Sequence, residues 1–274
     1  MSRWDGCEPR SDHMNANSIG FVGTGAITEA MVRGLLAEPA YASDIHVSPR
    51  SAHIAETLAA EFASVRIARD NQEVVQRSEM VFLAIRPQIA EEVVRELSFR
   101  NGQMVVSLVA ATERRALLEW IGADINLVQA IPLPFVADRQ GVTAVYPADT
   151  AVAALFDTLG TAVQCQSRKE YDLLAAASAV MSTYFGVMES VAGWLEKSGL
   201  ERAKGQAYIA PLFAGLAQKA SSAGAAEPFS ALSREFATKG GLNEQVLSDF
   251  DKKGGIAALT AALDLVLARI EGKD

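Results

Sequence analysis

The chain of 274 residues has few of the side chains that metal and disulfide sites need. It contains two cysteines, Cys7 and Cys165, and three histidines, the last of which is His53. The cysteines have no metal-ligand or disulfide spacing, which fits a reducing cytoplasm. The position of the histidines excludes a histidine-based metal site or catalytic triad in the C-terminal half, and no metal site is predicted.

Long apolar runs and an excess of positive charge are also missing. The longest apolar run, Leu173 to Met188, is shorter than the ~20 residues that span a membrane, so we expect a helix buried in protein. Residues 1–17 have no apolar h-region and are interpreted as a disordered leader or tag. The formal net charge is −8. The sequence therefore predicts neither a membrane nor a nucleic acid partner.

The most informative segment is the run IGFVGTGAITEA, which begins at Ile19. It has the pattern of a buried strand, a glycine turn and the first turn of a helix. A second glycine lets the backbone approach a pyrophosphate, which the free N–H groups of the helix bind. The predicted cofactor contacts are Gly23, Thr24, Gly25, Ala26 and Ile27. Thr28 stands where the full fingerprint has a third Gly or Ala, and an ordinary βα turn is the alternative.

The segment after the second predicted strand, VSPRS at residues 47–51, indicates which dinucleotide is preferred. Folds that prefer NAD usually carry an acid here, which accepts a hydrogen bond from the ribose 2′-hydroxyl. This chain has no acid, and Ser48, Arg50 and Ser51 could donate to a 2′-phosphate. We therefore predict NADP(H) as the preferred cofactor, with NAD(H) still usable. A solvated loop arginine is the alternative interpretation of Arg50.

Short apolar strands alternate with amphipathic helices over the first half of the chain. The predicted strands are Ile19–Val22, Ile45–Val47, Val65–Ile67, Met80–Ile85, Met104–Leu108, Asn126–Ala130 and Val142–Tyr146. This alternation predicts an α/β fold with a mostly parallel sheet covered on both faces. From about Ser167 only alanine-rich helical periodicity remains. We therefore predict a Rossmann-like dinucleotide-binding domain over residues 18–164 and an all-α domain over residues 165–274.

Several separate segments resemble the pyrroline-5-carboxylate reductase family, from Ile19 to the C-terminus. Besides the glycine turn, they are VFLAIRPQ (81–88), VVSLVA (105–110), GVTA (141–144) and TKGG (238–241). The resemblance implies hydride transfer from NAD(P)H to the carbon of a small cyclic imine. It also implies an all-α domain that intertwines with a second copy in a homodimer. The VFLAIRPQ segment follows a buried strand, so we expect Ala84, Arg86 and Pro87 near the ribose and nicotinamide.

The substrate motifs of the family are altered in this chain. The family's RVMPNTP is QAIPLPF at residues 129–135, and its SGSGPAY is SAVMSTY at 178–184. The family's catalytic threonine has no counterpart in YIAPLFAG at 208–215. A site that pairs a small carboxylate is selective because another ligand leaves its polar groups unpaired. We therefore expect the same reaction type on a different, bulkier or more apolar imine.

The remaining candidates come from positions that match the family's motifs. Ser178 and Tyr184 keep the family's residue type and are predicted as catalytic. The residues predicted to bind the substrate are Lys239, Gly240, Gly241 and Asn243. Each has a structural alternative, because a helical serine commonly bonds a carbonyl of the preceding turn and a Gly-Gly pair commonly forms a turn.

Two other functions stay open at this point. The helix predicted over Asp172–Leu195 has no Lys, Arg or His, which favours imine over ketone reduction because a ketone needs a firmer proton donor. A 3-hydroxyacid or phosphogluconate-type NADP dehydrogenase remains an alternative, as does a non-catalytic nucleotide-binding protein.

The apolar C-terminal helices predict a homodimer, since a monomer would expose them.

Overall fold

The apolar runs of the N-terminal half form one sheet. The computed structural model describes residues 18–39, 41, 43–224 and 226–273, and in these residues the sheet has eight strands in the order β3-β2-β1-β4-β5-β6-β7-β8. The strands are β1 (Ser18–Val22), β2 (Asp44–Val47), β3 (Val65–Ile67), β4 (Met80–Leu83), β5 (Met104–Ser107), β6 (Asn126–Pro132), β7 (Gly141–Tyr146) and β8 (Gly160–Gln164). Only the pairing of β6 with β7 is antiparallel among these strands.

Helices connect the parallel strands and cover the sheet. They are α1 (Ala26–Leu36), α2 (Ala52–Glu61), α3 (Asn71–Arg77), α4 (Pro87–Arg95), α5 (Arg114–Ile121) and α6 (Thr150–Asp157). The central strands β1, β4 and β5 are buried on both faces, which is why they read as continuous apolar runs. Phe21 and Phe82 stack at 4.8 Å between ring centroids in this core.

The predicted α/β fold with a mostly parallel sheet is confirmed. All seven predicted strands are present, with ends displaced by at most two residues. Strand β8 was not predicted. It lies at the edge of the sheet and is only partly covered, so it lacks the apolar run of a central strand. Helices α3 and α6 each begin at an aspartate cap, Asp70 and Asp149.

The described residues divide into two compact units, the first ending at Tyr171 and the second beginning at Asp172. The predicted leader, residues 1–17, lies outside the described residues. Helix α7 (Arg168–Ser178) crosses the division. The second unit continues with α8 (Met181–Lys197), α9 (Arg202–Ala223), α10 (Phe229–Phe236), α11 (Leu242–Lys252) and α12 (Gly255–Ile270).

The helix predicted over Asp172–Leu195 is interrupted, which corrects the sequence-based expectation. It ends at Ser178 and resumes at Met181. The N–H groups of Ala179 and Val180 donate to carbonyls three residues back instead of four, at 3.1 and 3.3 Å. The Ser178 hydroxyl donates to the Ala175 carbonyl at 2.7 Å and so competes with the backbone at the break.

One helical stretch of the described residues, Arg168–Lys197, is long and apolar enough to cross a membrane by length and composition. Its most apolar window of 18 residues has a mean hydropathy of 1.2, and 6% of that window is buried. The break after Ser178 lies inside this stretch. The core helix of a soluble protein can have the same length and composition.

Candidate functional site

A cleft of about 330 Å³ opens at the C-terminal ends of β1 and β4. From β1 the chain crosses to β2 on one side, and from β4 it crosses to β5 on the other. Such a reversal leaves a crevice where open α/β sheets bind ligands. The residues that line the cleft are Val22, Gly23, Thr24, Gly25, Arg50, Ser51, Asn71, Ala84, Ile85, Arg86, Ile89 and Val93.

The two glycines of the turn serve different purposes. Gly23 has a φ of +101°, and a Cβ there would lie 2.3 Å from the Ala84 carbonyl oxygen, so the fold itself requires glycine. Gly25 has an extended backbone, with φ −100°, and a Cβ there would meet nothing within 4 Å. The fold does not require glycine at position 25. The missing side chain leaves room in the cleft for a ligand to reach the backbone, as a dinucleotide pyrophosphate would need.

The N-terminus of α1 faces this room with free donors. Gly25 is the N-cap residue and supplies no side-chain cap, and the first bond into the helix runs from Glu29 N to the Gly25 carbonyl at 3.0 Å. Within the described residues, the N–H groups of Ala26 and Ile27 have no hydrogen-bond acceptor. Unpaired N–H groups at the positive end of a helix bind anions, so these residues suit a phosphate.

Ser48 is not placed as predicted. It is fully buried beneath the glycine turn, where its Oγ accepts a hydrogen bond from Gly23 N at 3.1 Å. Its carbonyl accepts one from Thr24 Oγ1 at 2.7 Å. Ser48 therefore does not reach the cleft, contrary to its predicted contact with a 2′-phosphate. Ser48 therefore stabilises the glycine turn from its buried side by accepting these two hydrogen bonds, one of them from Thr24 of the turn itself.

Thr28 has a role that the sequence pattern did not reveal. It is fully buried, and its Oγ1 donates to the Gly23 carbonyl at 2.7 Å. The hydroxyl thus satisfies a carbonyl of the sharp turn. Thr28 thus replaces the Gly or Ala of the third fingerprint position without disrupting the turn, and its hydroxyl adds a hydrogen bond to the turn.

Thr28→Val should lower the free energy of unfolding by about 1–3 kcal/mol, because the partly buried Gly23 carbonyl loses the donor that the buried Thr28 hydroxyl supplies. Chemical denaturation measures the change. Thr57→Val is the matched control, since Thr57 also donates to a backbone carbonyl, that of His53 at 2.7 Å, but at an exposed bond. Equal losses in the two variants would contradict a special role for Thr28.

Arg50 and Ser51 lie at the cleft in the turn after β2, as predicted. Arg50 is exposed and forms no ion pair with any described carboxylate. Ser51 has a φ of 60°, a left-handed conformation that few non-glycine residues adopt. Asn71, the first residue of α3, lines the same cleft and was missed. Its signal was its position in the turn between a predicted strand, which ends at Ile67, and the following helix, because the turns after parallel strands lie where such sheets bind ligands.

The loop after β4 forms the opposite wall. Ala84 and Arg86 line the cleft, and Arg86 is the exposed N-cap residue of α4. Pro87 occupies the first position of that helix, where its missing N–H costs no hydrogen bond. Pro87, Ala26 and Ile27 are not among the lining residues, and Ala26 and Ile27 can contribute through their backbone only.

The two predicted catalytic residues lie in the second unit. The Ser178 hydroxyl donates to the Ala175 carbonyl, the bond to the preceding turn that a helical serine commonly makes. The Tyr184 side chain is 40% exposed, and its ring contacts Phe185 and Phe213 edge-on at 5.4 and 5.6 Å. A catalytic role for either residue stays a prediction.

The Gly-Gly turn of the second unit uses several of its own donors. Gly240 has a φ of +72°, and its N–H donates to Glu244 Oε2 at 2.6 Å. The Asn243 side-chain amide donates to the Phe236 carbonyl at 3.0 Å, and Gly241 N donates to the Thr238 carbonyl at 2.7 Å. Lys239 is exposed. Binding of substrate by these residues stays a prediction.

Other reactive groups of the described chain offer little to this cleft. No cluster of three or more His, Cys, Asp or Glu that could hold a metal occurs among the described residues. Burial raises the pKa of the Cys165 thiol, helped by the nearby Glu170 charge, so the thiol stays protonated at neutral pH. Burial lowers the pKa of His46, a residue of β2.

Comparison with known proteins agrees with this geometry. A family model described as "NADP oxidoreductase coenzyme F420-dependent" matches residues 18–111, which include all the residues that line the cleft. The pyrroline-5-carboxylate reductase of Escherichia coli is 26% identical over 263 residues, 92% of this chain and 97% of its own length. The chain is related to the pyrroline-5-carboxylate reductases.

Solved structures of pyrroline-5-carboxylate reductases have the same fold. The protein from Coxiella burnetii has a TM-score of 0.82 at 21% identity and covers 94% of this chain and 98% of its own. The Plasmodium falciparum pyrroline carboxylate reductase, solved with NADP bound, has a TM-score of 0.76 at 16% identity and covers 93% and 97%. At these identities the likeness shows the fold. Together with the family model, it supports the predicted use of a nicotinamide dinucleotide.

Proposed function

We propose that this protein is an NAD(P)H-dependent reductase that transfers hydride to the carbon of a C=N bond in a small cyclic imine. The observation that carries the proposal is Gly25, whose absent side chain leaves open space beside the free N–H groups of α1. Relatedness to the pyrroline-5-carboxylate reductases over 92% of the chain supports the reaction type. The dinucleotide supplies the hydride when bound.

Different residues of the cleft bind different parts of the dinucleotide in this proposal. The N–H groups of Ala26 and Ile27 bind the pyrophosphate, which the helix N-terminus favours electrostatically. Arg50, which no described carboxylate neutralises, pairs with the 2′-phosphate and makes NADP(H) the preferred cofactor. Ala84 and Arg86 border the ribose and nicotinamide.

The altered substrate motifs support a substrate other than pyrroline-5-carboxylate. Leu133 and Pro134 stand where the family's RVMPNTP has Asn and Thr. The resemblance also implies two threonines directly after the Gly-Gly pair, and this chain has Leu242, which is 81% exposed, and Asn243 there. An iminium carbon is already electrophilic, so its reduction requires orientation against the nicotinamide more than acid catalysis. A hydroxyl or water would supply the proton that converts the imine nitrogen to the iminium, and hydride addition to the iminium carbon then yields the amine. Ser178 and Tyr184 stay the candidate hydroxyl donors.

The alternative that the protein is a 3-hydroxyacid dehydrogenase has less support. The segment Asp172–Leu195, which forms the end of α7 and most of α8, has no Lys, Arg or His to protonate a developing alkoxide. We also propose a cytoplasmic location, which the free and buried thiol of Cys165 supports.

We further propose a homodimer formed through the second unit. Among its described residues, the only buried apolar side chains of its helices are Ala176, Ala192, Ile209 and Leu232. Helices α11 and α12 bury no residue at all. Large apolar side chains are exposed on several helices, among them Phe185, Trp194, Tyr208, Phe229, Val246 and Leu265. A surface this apolar needs a partner, and a second copy supplies the same surface by symmetry.

Sedimentation velocity should therefore find the protein as a stable dimer or a multiple of it at micromolar concentration. The physical reason is the burial of apolar area, which contributes about 25 cal/mol per Å². A control at high salt should leave the dimer intact, because apolar burial is not screened. A stable monomer in detergent-free buffer would contradict the proposal, and recovery only with detergent would favour the membrane reading of Arg168–Lys197.

The reaction itself is tested by NADPH oxidation, followed at the absorption band of reduced nicotinamide, against a panel of imines. The panel contains pyrroline-5-carboxylate, pyrroline-2-carboxylate, piperideine carboxylates and uncharged cyclic imines, with a 3-hydroxyacid and NADP⁺ as the control for ketone chemistry. Turnover with one of the imines supports the proposal. If NADPH binds but no imine is reduced, the non-catalytic alternative is favoured. Turnover of the hydroxyacid would favour the dehydrogenase.

A further inference from the structure

Three buried hydroxyl groups connect the glycine turn to its neighbours. Thr24, Thr28 and Ser48 are each at most 1% exposed. Thr28 Oγ1 donates to the Gly23 carbonyl, while Gly23 N donates to Ser48 Oγ and Thr24 Oγ1 donates to the Ser48 carbonyl. Thr24 Oγ1 and Ser48 Oγ lie 3.1 Å apart. The turn that faces a pyrophosphate is thus bonded to the first residue after β2.

Ser48 also begins the segment that carries Arg50. Its own N–H donates to the Phe21 carbonyl of β1 at 3.1 Å, so both ends of its peptide are fixed. Two residues later Arg50 reaches the cleft, and Ser51 then enters α2 in a left-handed conformation with its carbonyl accepting from Ile54 N and Ala55 N. Arg50 therefore projects from a short turn that is anchored on both sides.

We propose that Ser48 is a positioning residue for cofactor choice. It does not touch the cofactor, but by bonding the glycine turn it sets the distance between the Arg50 guanidinium and the N–H groups of α1. A 2′-phosphate and a pyrophosphate are joined by a rigid ribose, so both contacts form only when the two turns keep that distance. This inference rests on the proposed use of NADP(H) and is independent of the imine substrate.

The test uses nucleotide fragments, so that it does not depend on turnover. Isothermal titration measures the binding of 2′,5′-ADP and of 5′-AMP, which differ by the 2′-phosphate alone. Ser48→Ala should lower the affinity for 2′,5′-ADP about tenfold and the affinity for 5′-AMP less than about threefold, because the turn that carries Arg50 is no longer held in place. Arg50→Ala should lower the affinity for 2′,5′-ADP much less in the Ser48→Ala protein than in the wild type, as expected for coupled residues.

Ser78→Ala is the matched control. Ser78 is also buried, and its Oγ donates to the Val74 carbonyl at 2.7 Å, but it precedes the N-terminal end of β4, whereas the cleft lies at the C-terminal ends of the strands. This variant should leave the ratio of the two affinities unchanged. If Ser48→Ala does not fold, Thr24→Val removes the donor to the Ser48 carbonyl and should lower the same ratio.

The outcomes separate the inference from the function it rests on. A wild-type protein that prefers 2′,5′-ADP, with an unchanged ratio in Ser48→Ala and in Thr24→Val, overturns the positioning role and leaves the proposed function intact. A wild-type protein that binds both fragments equally overturns the NADP(H) preference and with it the inference.

Discussion

Gly25→Asp should lower the affinity for NADPH at least about a hundredfold and leave the protein folded, which is the largest expected effect. The added carboxylate lies at the N-terminus of α1, in the space where a Cβ meets nothing within 4 Å. Aspartate is a favourable N-cap residue, so the free energy of unfolding should stay within about 1 kcal/mol of wild type. In the cleft it fills the pyrophosphate position and repels it, so the affinity should fall at least about a hundredfold. Fluorescence titration with NADPH and urea unfolding measure the two effects.

Gly23→Ala is the matched control for that experiment. Its Cβ would lie 2.3 Å from the Ala84 carbonyl oxygen, in a backbone conformation with φ +101°. It should therefore destabilise the fold by more than about 1 kcal/mol, in contrast to the variant at position 25. Tight NADPH binding by Gly25→Asp would contradict a pyrophosphate site at this turn.

Arg50→Ala should lower the affinity for NADPH about 10- to 100-fold and leave the affinity for NADH nearly unchanged. A charge-assisted hydrogen bond to the 2′-phosphate contributes about 1.5–3 kcal/mol, and NADH has no such phosphate. The dissociation constants of both cofactors, measured at low and high salt, check the result. The variant's NADPH affinity should also depend less on salt, since a charge pair is lost.

Arg69→Ala is the control for a general loss of positive charge. Arg69 is exposed on the loop after β3 and pairs with Asp70 at 3.2 Å, and it does not line the cleft. This control should bind both cofactors as wild type does. Equal losses of NADPH and NADH affinity in Arg50→Ala would defeat the assignment of Arg50 to the 2′-phosphate.

Much of the first unit could be predicted from the sequence because its strands are short, apolar and separated by clear turn residues. The fingerprint pattern predicted a sharp turn at Gly23 and close approach of a pyrophosphate at Gly25, but it did not show at which of the two positions the fold itself requires glycine. The Ala84 carbonyl requires glycine at position 23, and nothing in the fold requires it at position 25. The sequence likewise did not show which of Ser48 and Arg50 is buried, since they lie two residues apart in a single polar segment. Ser48 is buried under the glycine turn, while Arg50 is exposed at the cleft.

The second unit was predictable in a coarser way. Helical periodicity and a high alanine content predicted its helices, but they did not predict the break at Ala179 and Val180. That break depends on a local competition for the Ala175 carbonyl. Apolar periodicity also does not say whether a helix is covered by its own chain or by a partner. The helices α11 and α12 have that periodicity and bury no residue within the described chain.

The central claim is hydride transfer to the carbon of an imine, and isotope transfer tests it most directly. NADPH deuterated at the transferable C4 position is incubated with each imine of the panel, and the products are analysed by mass spectrometry and NMR. The account predicts an amine with a single deuterium on the former imine carbon, and none on nitrogen after exchange with water. NADPH that binds tightly while every imine is recovered unreduced would contradict the claim.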